Sequence, residues 1–149
     1  MTTPAPFEVA ISDAVLDDLK ARLANTRWPD EPDEAGWDYG ANLGYMRQLV
    51  EYWCDGFDWR AAEARINAFP QFTAPIKADN GETVDIHFIH ETGSGTNPLP
   101  LLLMHGWPGS IAEFLDVIEP LAHPERFGSD PDDGLTIIAP SLPGYGFSG

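Results

Sequence analysis

The segment LPLLLMHGWPGS, residues 99–110, constrains the fold of this chain more than any other. Its first residues, Leu99 to Met104, form an apolar run that suits a strand buried on both faces, as strands of parallel sheets are. Ser110 suits the N-cap of a helix over residues 111–122, where apolar residues recur at helical spacing. Between strand and helix lie three residues typical of turns, Gly106, Pro108 and Gly109. The segment predicts a strand, a turn and a helix in succession.

The composition excludes several classes of function. With 149 residues, 43% of them apolar and 21% charged, the chain is globular and long enough to bury a core. A formal net charge of −16 repels nucleic acid and anionic membranes. The single cysteine, Cys54, cannot form an internal disulfide, and its helical setting favours a core role over a nucleophilic one. No signal peptide or membrane-length apolar run is present, so we expect a cytoplasmic protein without nucleic-acid or membrane partners.

The first half of the chain has helical patterns. Three helices are expected. The first begins with Ser12 as its N-cap, and the third runs over about residues 59–68. The second is expected from Leu43 to Cys54, with one apolar face made of Met46, Leu49, Val50 and Trp53. The irregular stretch between the first two helices is rich in Pro, Asp and Gly. Trp28 and Trp37 are expected to pin it onto a core.

The second half changes to alternating and strand-like patterns. Asn80 and Gly81 lie between alternating runs, a strong signal for a β-hairpin. On its second strand His87 and His90 are expected to point to opposite faces, as solvent or hairpin residues that cannot share a metal. The strand, helix and strand over residues 99–140 then resemble the start of a mostly parallel α/β sheet. The sequence thus predicts a helical region, residues 1–73, and the start of an α/β core, residues 74–149.

Two interpretations of the role of the turn HGWPGS stay open. A phosphate-binding loop is excluded because its Gly-rich pattern ending in Lys and Ser or Thr is absent. The turn is then either a plain connection or an oxyanion site that uses the backbone N–H of Trp107. One such donor stabilises the transition state by about 2.7–4 kcal/mol. Residue types alone favour the plain turn, since Gly and Pro build many turns without function.

Several separated motifs resemble one family. The motif HGWPGS is followed at residues 140–148 by the motif PSLPGYGFS. Together the two motifs resemble those of proteins with the α/β-hydrolase fold, specifically epoxide hydrolases of the microsomal and juvenile-hormone type. The blocks DDLKARLANTRWP, YWCDGFDWRAAEARINAFPQF and IHFIHE resemble the N-terminal region of this branch. The resemblance runs from about Phe7 to Gly149. It implies an α/β fold class: a helical N-terminal meander followed by the first strands of an α/β-hydrolase sheet.

The resemblance also implies a chemistry. In this family an Asp opens the epoxide to a hydroxyalkyl ester, two tyrosines bind the epoxide oxygen, and a His with an acidic partner activates the water that cleaves the ester. The activity serves detoxification, and no cofactor or metal is implied. The Trp107 N–H would form half of the oxyanion hole and its indole would line the pocket. The Trp107–Pro108 peptide is expected to be cis.

The resemblance also implies supporting or substrate-bordering roles for other residues in and near the turn. His105, Gly106, Pro108 and Gly109 would support the turn. His105 is expected to make a structural hydrogen bond, because the family's base lies near the C-terminus. Tyr145 and Phe147 could border the substrate entrance, although packing between loop and sheet is favoured.

The family's nucleophile elbow follows the strand that comes after PSLPGYGFS, and the 149 residues do not contain it, the base or the tyrosines. We therefore expect the N-terminal part of an epoxide hydrolase, inactive alone. Residues 99–104 would lack a neighbouring strand and expose an apolar edge. Candidate partners are an epoxide in the complete enzyme, the remaining hydrolase domain in trans, or a second copy. The alternatives are a non-catalytic interaction module or remnant, and another α/β-hydrolase with an Asp nucleophile, against which the tryptophan-rich first half argues.

Overall fold

A computed structural model describes residues 3–149. The chain divides into two compact units, one of residues 3–9 with Ala62–Gly149 and the other of Ala10–Ala61. The predicted change in sequence character at residue 73 falls within a strand, Gln71–Lys77. The helices formed by residues 3–149 include none with the length and apolarity needed to cross a membrane.

The unit Ala10–Ala61 is helical, as predicted. Helix α1 spans Asp13–Ala24, and helix α2 spans Leu43–Glu51 and continues into a π-helical turn, Tyr52–Gly56. Helix α3, Trp59–Ile66, begins in this unit. Ser12 is the N-cap residue of α1, although its side chain makes no capping hydrogen bond.

The apolar side chains of this unit are less buried than the sequence predicts. On the predicted face of α2, Leu49 is 42% exposed and Trp53 is 47% exposed. Trp28 is half-buried, and the Arg47 guanidinium lies 5.9 Å from its ring centroid. Trp37 is 61% exposed, with its ring centroid 5.3 Å from that of Tyr45, so the prediction that it pins the irregular stretch onto a core is wrong. A unit this small encloses few side chains because its surface is large relative to its volume.

The other unit contains a five-stranded sheet in the order β1-β2-β3-β5-β4. The strands span Ala5–Phe7, Gln71–Lys77, Thr83–Glu91, Leu99–Leu102 and Leu135–Pro140. The pair β4 and β5 is parallel, while the other neighbours are antiparallel. The α/β class is confirmed. The expectation of a mostly parallel sheet is wrong for these residues, because β1 and the β2–β3 hairpin precede the single strand–helix–strand unit.

The predicted strand–helix–strand unit forms the core of the sheet unit. A 3-10 turn, Ile111–Phe114, leads into helix α4, Leu115–Ala122, which connects β4 to β5. The buried apolar cluster joins α4 and its preceding turn to β3 and β5; its members are Ile89, Ile111, Leu115, Ile118, Ala122, Ile137 and Ala139. The hairpin is also confirmed, with Asn80 and Gly81 in the turn between β2 and β3.

Strand β4 is the exposed edge of the sheet. It pairs with β5 on one side and with no other strand among residues 3–149. Leu99 is 67% exposed, Leu102 is 55% exposed, and Met104 just beyond the strand is 58% exposed. The prediction of a strand buried on both faces is therefore wrong here, because Leu101 and Leu103 pack against the core while the alternate residues Leu102 and Met104 are exposed. The predicted apolar edge is present.

His87 is fully buried, which contradicts its predicted place in solvent or at the hairpin surface. Its Nδ1 lies 2.9 Å from the Ser141 Oγ, and its Nε2 lies 3.0 Å from the Gln71 Oε1. The rings of Phe7 and Phe147 pack against it. These rings exclude water while the two polar partners satisfy both ring nitrogens, so the strand accepts a histidine in its interior. Burial lowers the pKa of His87 to about 4.

This burial predicts a specific loss of stability in acid. Because the unfolded state of His87 gains a proton near its ordinary pKa of about 6.5, and the folded state only near pH 4, the free energy of unfolding falls as the pH drops through that window. The His87 contribution is at most about 3 kcal/mol. Urea unfolding at pH 7 and pH 4.5 measures it. The unsubstituted chain is expected to lose more stability than His87→Gln, and equal losses would contradict this account.

Candidate functional site

The turn that follows β4, residues 105–110, lies at the carboxyl end of a parallel strand. Parallel β5 ends at Pro140 and leads into the loop 141–149. Because the carboxyl ends of parallel strands meet at one edge of a sheet, the turn and this loop are neighbours. The Leu142 N–H donates a 3.1 Å hydrogen bond to the His105 Nε2 across that edge. The structure therefore brings together two segments that the sequence singled out separately.

A capping box determines how the turn enters the helical segment. The Ser110 Oγ accepts a 3.2 Å hydrogen bond from the Ala112 N–H, and the Glu113 carboxylate accepts a 3.1 Å bond from the Ser110 N–H. Both halves of the box are present. Sequence reasoning found Ser110 but missed Glu113, although a Ser followed three residues later by Glu is the signature of this motif.

Gly109 is required by close packing within the turn. A Cβ at this position would lie 2.9 Å from the Gly106 carbonyl oxygen and would overlap the Glu113 carboxylate. A Cβ at Gly106 would meet nothing within 4 Å. The two glycines of the motif therefore differ, since only Gly109 is held by a steric constraint.

Trp107 presents its backbone N–H at the head of the turn. The Trp107–Pro108 peptide is cis, as predicted. The indole is exposed, with 82% of the residue surface accessible. Within the described chain, residues 3–149, the Trp107 N–H donates to no protein acceptor. A backbone N–H without a protein acceptor is available to donate to an oxygen on which negative charge develops.

His105 is buried and uses both ring nitrogens. Only 4% of its surface is exposed. Its Nε2 accepts the Leu142 N–H, and its Nδ1 lies 3.1 Å from the Gly106 carbonyl oxygen. The Tyr145 ring packs edge-on against it, with centroids 5.3 Å apart. Its contacts are those of a residue that joins the turn to the loop.

The two aromatic residues of the loop lie in different surroundings. Tyr145 is half-buried against His105 and so lies beside the turn. Phe147 is half-buried against His87 and Phe7, on the side of the sheet where β1 and β3 lie. Phe147 therefore packs between the loop and the sheet, whereas Tyr145 packs between the loop and the turn. Their roles in bordering a substrate stay predictions.

A second histidine cluster lies outside the turn and is not arranged for nucleophilic catalysis. The His123 Nε2 lies 2.8 Å from the Glu91 Oε1, and its Nδ1 lies 2.8 Å from the Ser94 Oγ. The Ser94 hydroxyl donates to the Glu125 Oε1 at 2.9 Å. A serine activated by a histidine must instead give its proton to the ring. This cluster therefore fastens the loop at Ser94 to the segment after α4.

The family of the chain is decided by comparison with known proteins. The family described as "Epoxide hydrolase N terminus" matches residues 4–114, which contain the helical region, the hairpin, β4 and the turn. The chain belongs to this family.

Relatives and solved structures agree. Epoxide hydrolase 1 of Sus scrofa is 37% identical over 147 residues, which cover 96% of this chain and 31% of the relative. The structure of the Aspergillus niger epoxide hydrolase matches with a TM-score of 0.82 and 35% identity over 99% of this chain. The juvenile hormone epoxide hydrolase of Bombyx mori matches with a TM-score of 0.83 and 34% identity, again over 99% of this chain.

The chain spans about a third of the length of these proteins. It covers 37% of the Aspergillus niger structure and 38% of the Bombyx mori structure. The predicted resemblance and fold class are thereby confirmed for the N-terminal part of an epoxide hydrolase.

The packing of the turn predicts different effects at its two glycines. Gly109→Ala is expected to lower the free energy of unfolding by about 1–3 kcal/mol, since the added Cβ crowds the Gly106 carbonyl and the Glu113 carboxylate. Gly106→Ala is the matched control and is expected to stay within about 0.5 kcal/mol. Urea unfolding followed by circular dichroism measures both, and equal effects would contradict the steric account.

Proposed function

We propose that this chain is the N-terminal part of an epoxide hydrolase and that the Trp107 N–H supplies half of its oxyanion hole. The observation that carries the proposal is the turn after β4, where this N–H lacks a protein acceptor among residues 3–149 and stands beside an exposed indole. Membership of the epoxide hydrolase N-terminal family supports the reaction class. Alone, the turn would be compatible with a plain connection.

The proposed reaction adds water to an epoxide in two steps. A carboxylate of the complete enzyme attacks an epoxide carbon and forms a hydroxyalkyl ester, and water then cleaves that ester to release a diol. Negative charge develops on the ester carbonyl oxygen during the second step. The Trp107 N–H would donate to that oxygen, and the indole would line the apolar pocket. His105 and Gly109 would hold the turn that carries the donor.

The nucleophile, the base and the tyrosines of this mechanism are proposed to come from the remaining hydrolase domain. The turn 105–110 itself contains no carboxylate. Because the 149-residue chain would supply only the oxyanion donor, it is expected to produce no diol from an epoxide when alone. We propose a cytoplasmic location for the complete enzyme, supported by the acidic composition and the single cysteine.

A graft tests the proposed role of the Trp107 N–H. Residues 3–149 replace the matching segment of the Aspergillus niger epoxide hydrolase, and styrene oxide hydrolysis is measured. The graft is expected to be active. Trp107→Pro removes both the N–H and the indole, whereas Trp107→Ala removes only the indole. We expect the proline variant to have a kcat about 10²–10³-fold below that of the alanine variant.

Two outcomes contradict the proposal. An inactive graft with native-like secondary structure would show that residues 3–149 cannot serve this reaction. Equal kcat values for two folded variants would show that the Trp107 N–H does not stabilise the reacting oxygen.

A second candidate function, an interaction module, is favoured by the edge of the sheet. Among residues 3–149, strand β4 has one flank without a partner strand, and its Leu99 and Leu102 side chains are exposed. Such an edge is a template for pairing with another strand. We propose that it pairs with the remaining hydrolase domain when that domain is present and with a second copy when it is not.

Self-association of the isolated chain tests the proposed edge pairing. Leu102→Lys places a charge on the edge and is expected to shift the chain from oligomer to monomer, as measured by light scattering after size-exclusion chromatography. Val15→Lys is the matched control, because Val15 is 57% exposed on helix α1 and Leu102 is 55% exposed. A monomeric unsubstituted chain, or equal shifts in both variants, would contradict the proposal.

A further inference from the structure

We propose that His105 is a positioning residue that sets the direction of the Trp107 N–H by holding the carbonyl group of the same peptide unit. The functional consequence rests on the proposed function, whereas the orientation of the peptide is a property of this chain alone. The argument has three parts: the tautomer of the ring, the geometry of one peptide unit, and the space around the carbonyl.

The tautomer of His105 follows from its neighbour across the sheet edge. The Leu142 N–H donates to the Nε2 at 3.1 Å, so the Nε2 carries a lone pair. A neutral imidazole with an unprotonated Nε2 has its proton on the Nδ1. The Nδ1 lies 3.1 Å from the Gly106 carbonyl oxygen, to which it donates. The loop after β5 thereby determines which atom of the turn the ring can hold.

The carbonyl of Gly106 and the N–H of Trp107 belong to one planar peptide unit. In a trans peptide these two groups point in opposite directions. The cis bond of the turn is the next one, Trp107–Pro108. A hydrogen bond that fixes the Gly106 carbonyl therefore aims the Trp107 N–H away from the His105 ring. The same bond polarises the peptide unit and makes its N–H a stronger donor.

The space around the carbonyl shows a further restraint. The Gly106 oxygen lies so close to Gly109 that a Cβ there would approach it to 2.9 Å. The carbonyl oxygen is thus close both to the His105 ring and to the backbone of Gly109. Because His105 is buried and packed against Tyr145, the ring has little freedom to release it. The geometry points to an N–H whose direction is determined before any ligand binds.

Two substitutions separate the two hydrogen bonds of the ring. In His105→Asn the side-chain NH₂ can occupy the place of the Nδ1 and donate to the Gly106 carbonyl, but nothing replaces the Nε2. In His105→Gln the side-chain oxygen can occupy the place of the Nε2 and accept from Leu142, but the donor to Gly106 is lost. The pair therefore distinguishes positioning of the peptide from general support of the turn.

The test is nuclear magnetic resonance of the labelled 149-residue chain. We expect His105→Asn to keep the Gly106 carbonyl and Trp107 amide signals near their unsubstituted values while the Leu142 amide signal shifts. We expect His105→Gln to show the reverse pattern. Circular dichroism establishes that both variants are folded. Unchanged Gly106 and Trp107 signals in folded His105→Gln would overturn the proposal.

A kinetic comparison in the Aspergillus niger graft adds a separate readout. His105→Gln is expected to lower kcat by up to about 10²-fold relative to His105→Asn, with KM unchanged. The resonance signals decide the positioning role, while the kcat difference decides whether the positioned N–H serves the proposed reaction. Failure of one is thus distinguishable from failure of the other.

Discussion

The parallel pairing of β4 with β5 is the constraint on which the candidate site depends. The register Leu101↔Ile137 aligns the two strands so that both carboxyl ends reach the same edge of the sheet. The turn that follows β4 and the loop that follows β5 can then exchange the hydrogen bond between Leu142 and His105. Helix α4 connects the two strands in the chain and supports β5, because its Ile118 is buried in the core cluster with Ile137 and Ala139. Without this alignment, the turn would have no partner to orient its histidine.

Two buried histidines connect the loop 141–149 to the rest of the sheet unit. His87 binds the Ser141 hydroxyl through its ring, and its backbone N–H donates to the Ser148 Oγ. His105 binds the Leu142 N–H. The His87 ring packs against two aromatic rings and the His105 ring against one, and in both histidines each ring nitrogen has a polar partner. Because an unsatisfied buried polar group is costly, such a network specifies one arrangement of the loop.

The turn after β4 and the flank of β4 differ in how far the chain itself completes their contacts. The turn has its capping box, its sterically required Gly109 and its oriented peptide within residues 105–113. The neighbouring strand β4 has an apolar flank that no strand among residues 3–149 covers. The two candidate functions therefore both depend on strand β4, because the turn lies beyond its carboxyl end and the unpaired backbone runs along its flank. In the proposed function, the oxyanion donor acts together with the remaining hydrolase domain, and the unpaired strand would offer the backbone to which that domain binds.

The sequence by itself determined the helices of the first half, the hairpin and the strand–turn–helix unit, because these follow from local patterns. Its separated motifs also indicated the family, and the resemblance to that family implied the cis peptide. Tertiary structure decided the burial of His87, the exposure of Trp37 and β4, and the partners of His105. These properties depend on which distant segments pack together: Phe7 and Phe147 enclose His87, and Leu142 reaches His105 only through the parallel pairing. Local pattern carries no record of such long-range neighbours, so the direction of the Trp107 N–H is visible only in the folded chain.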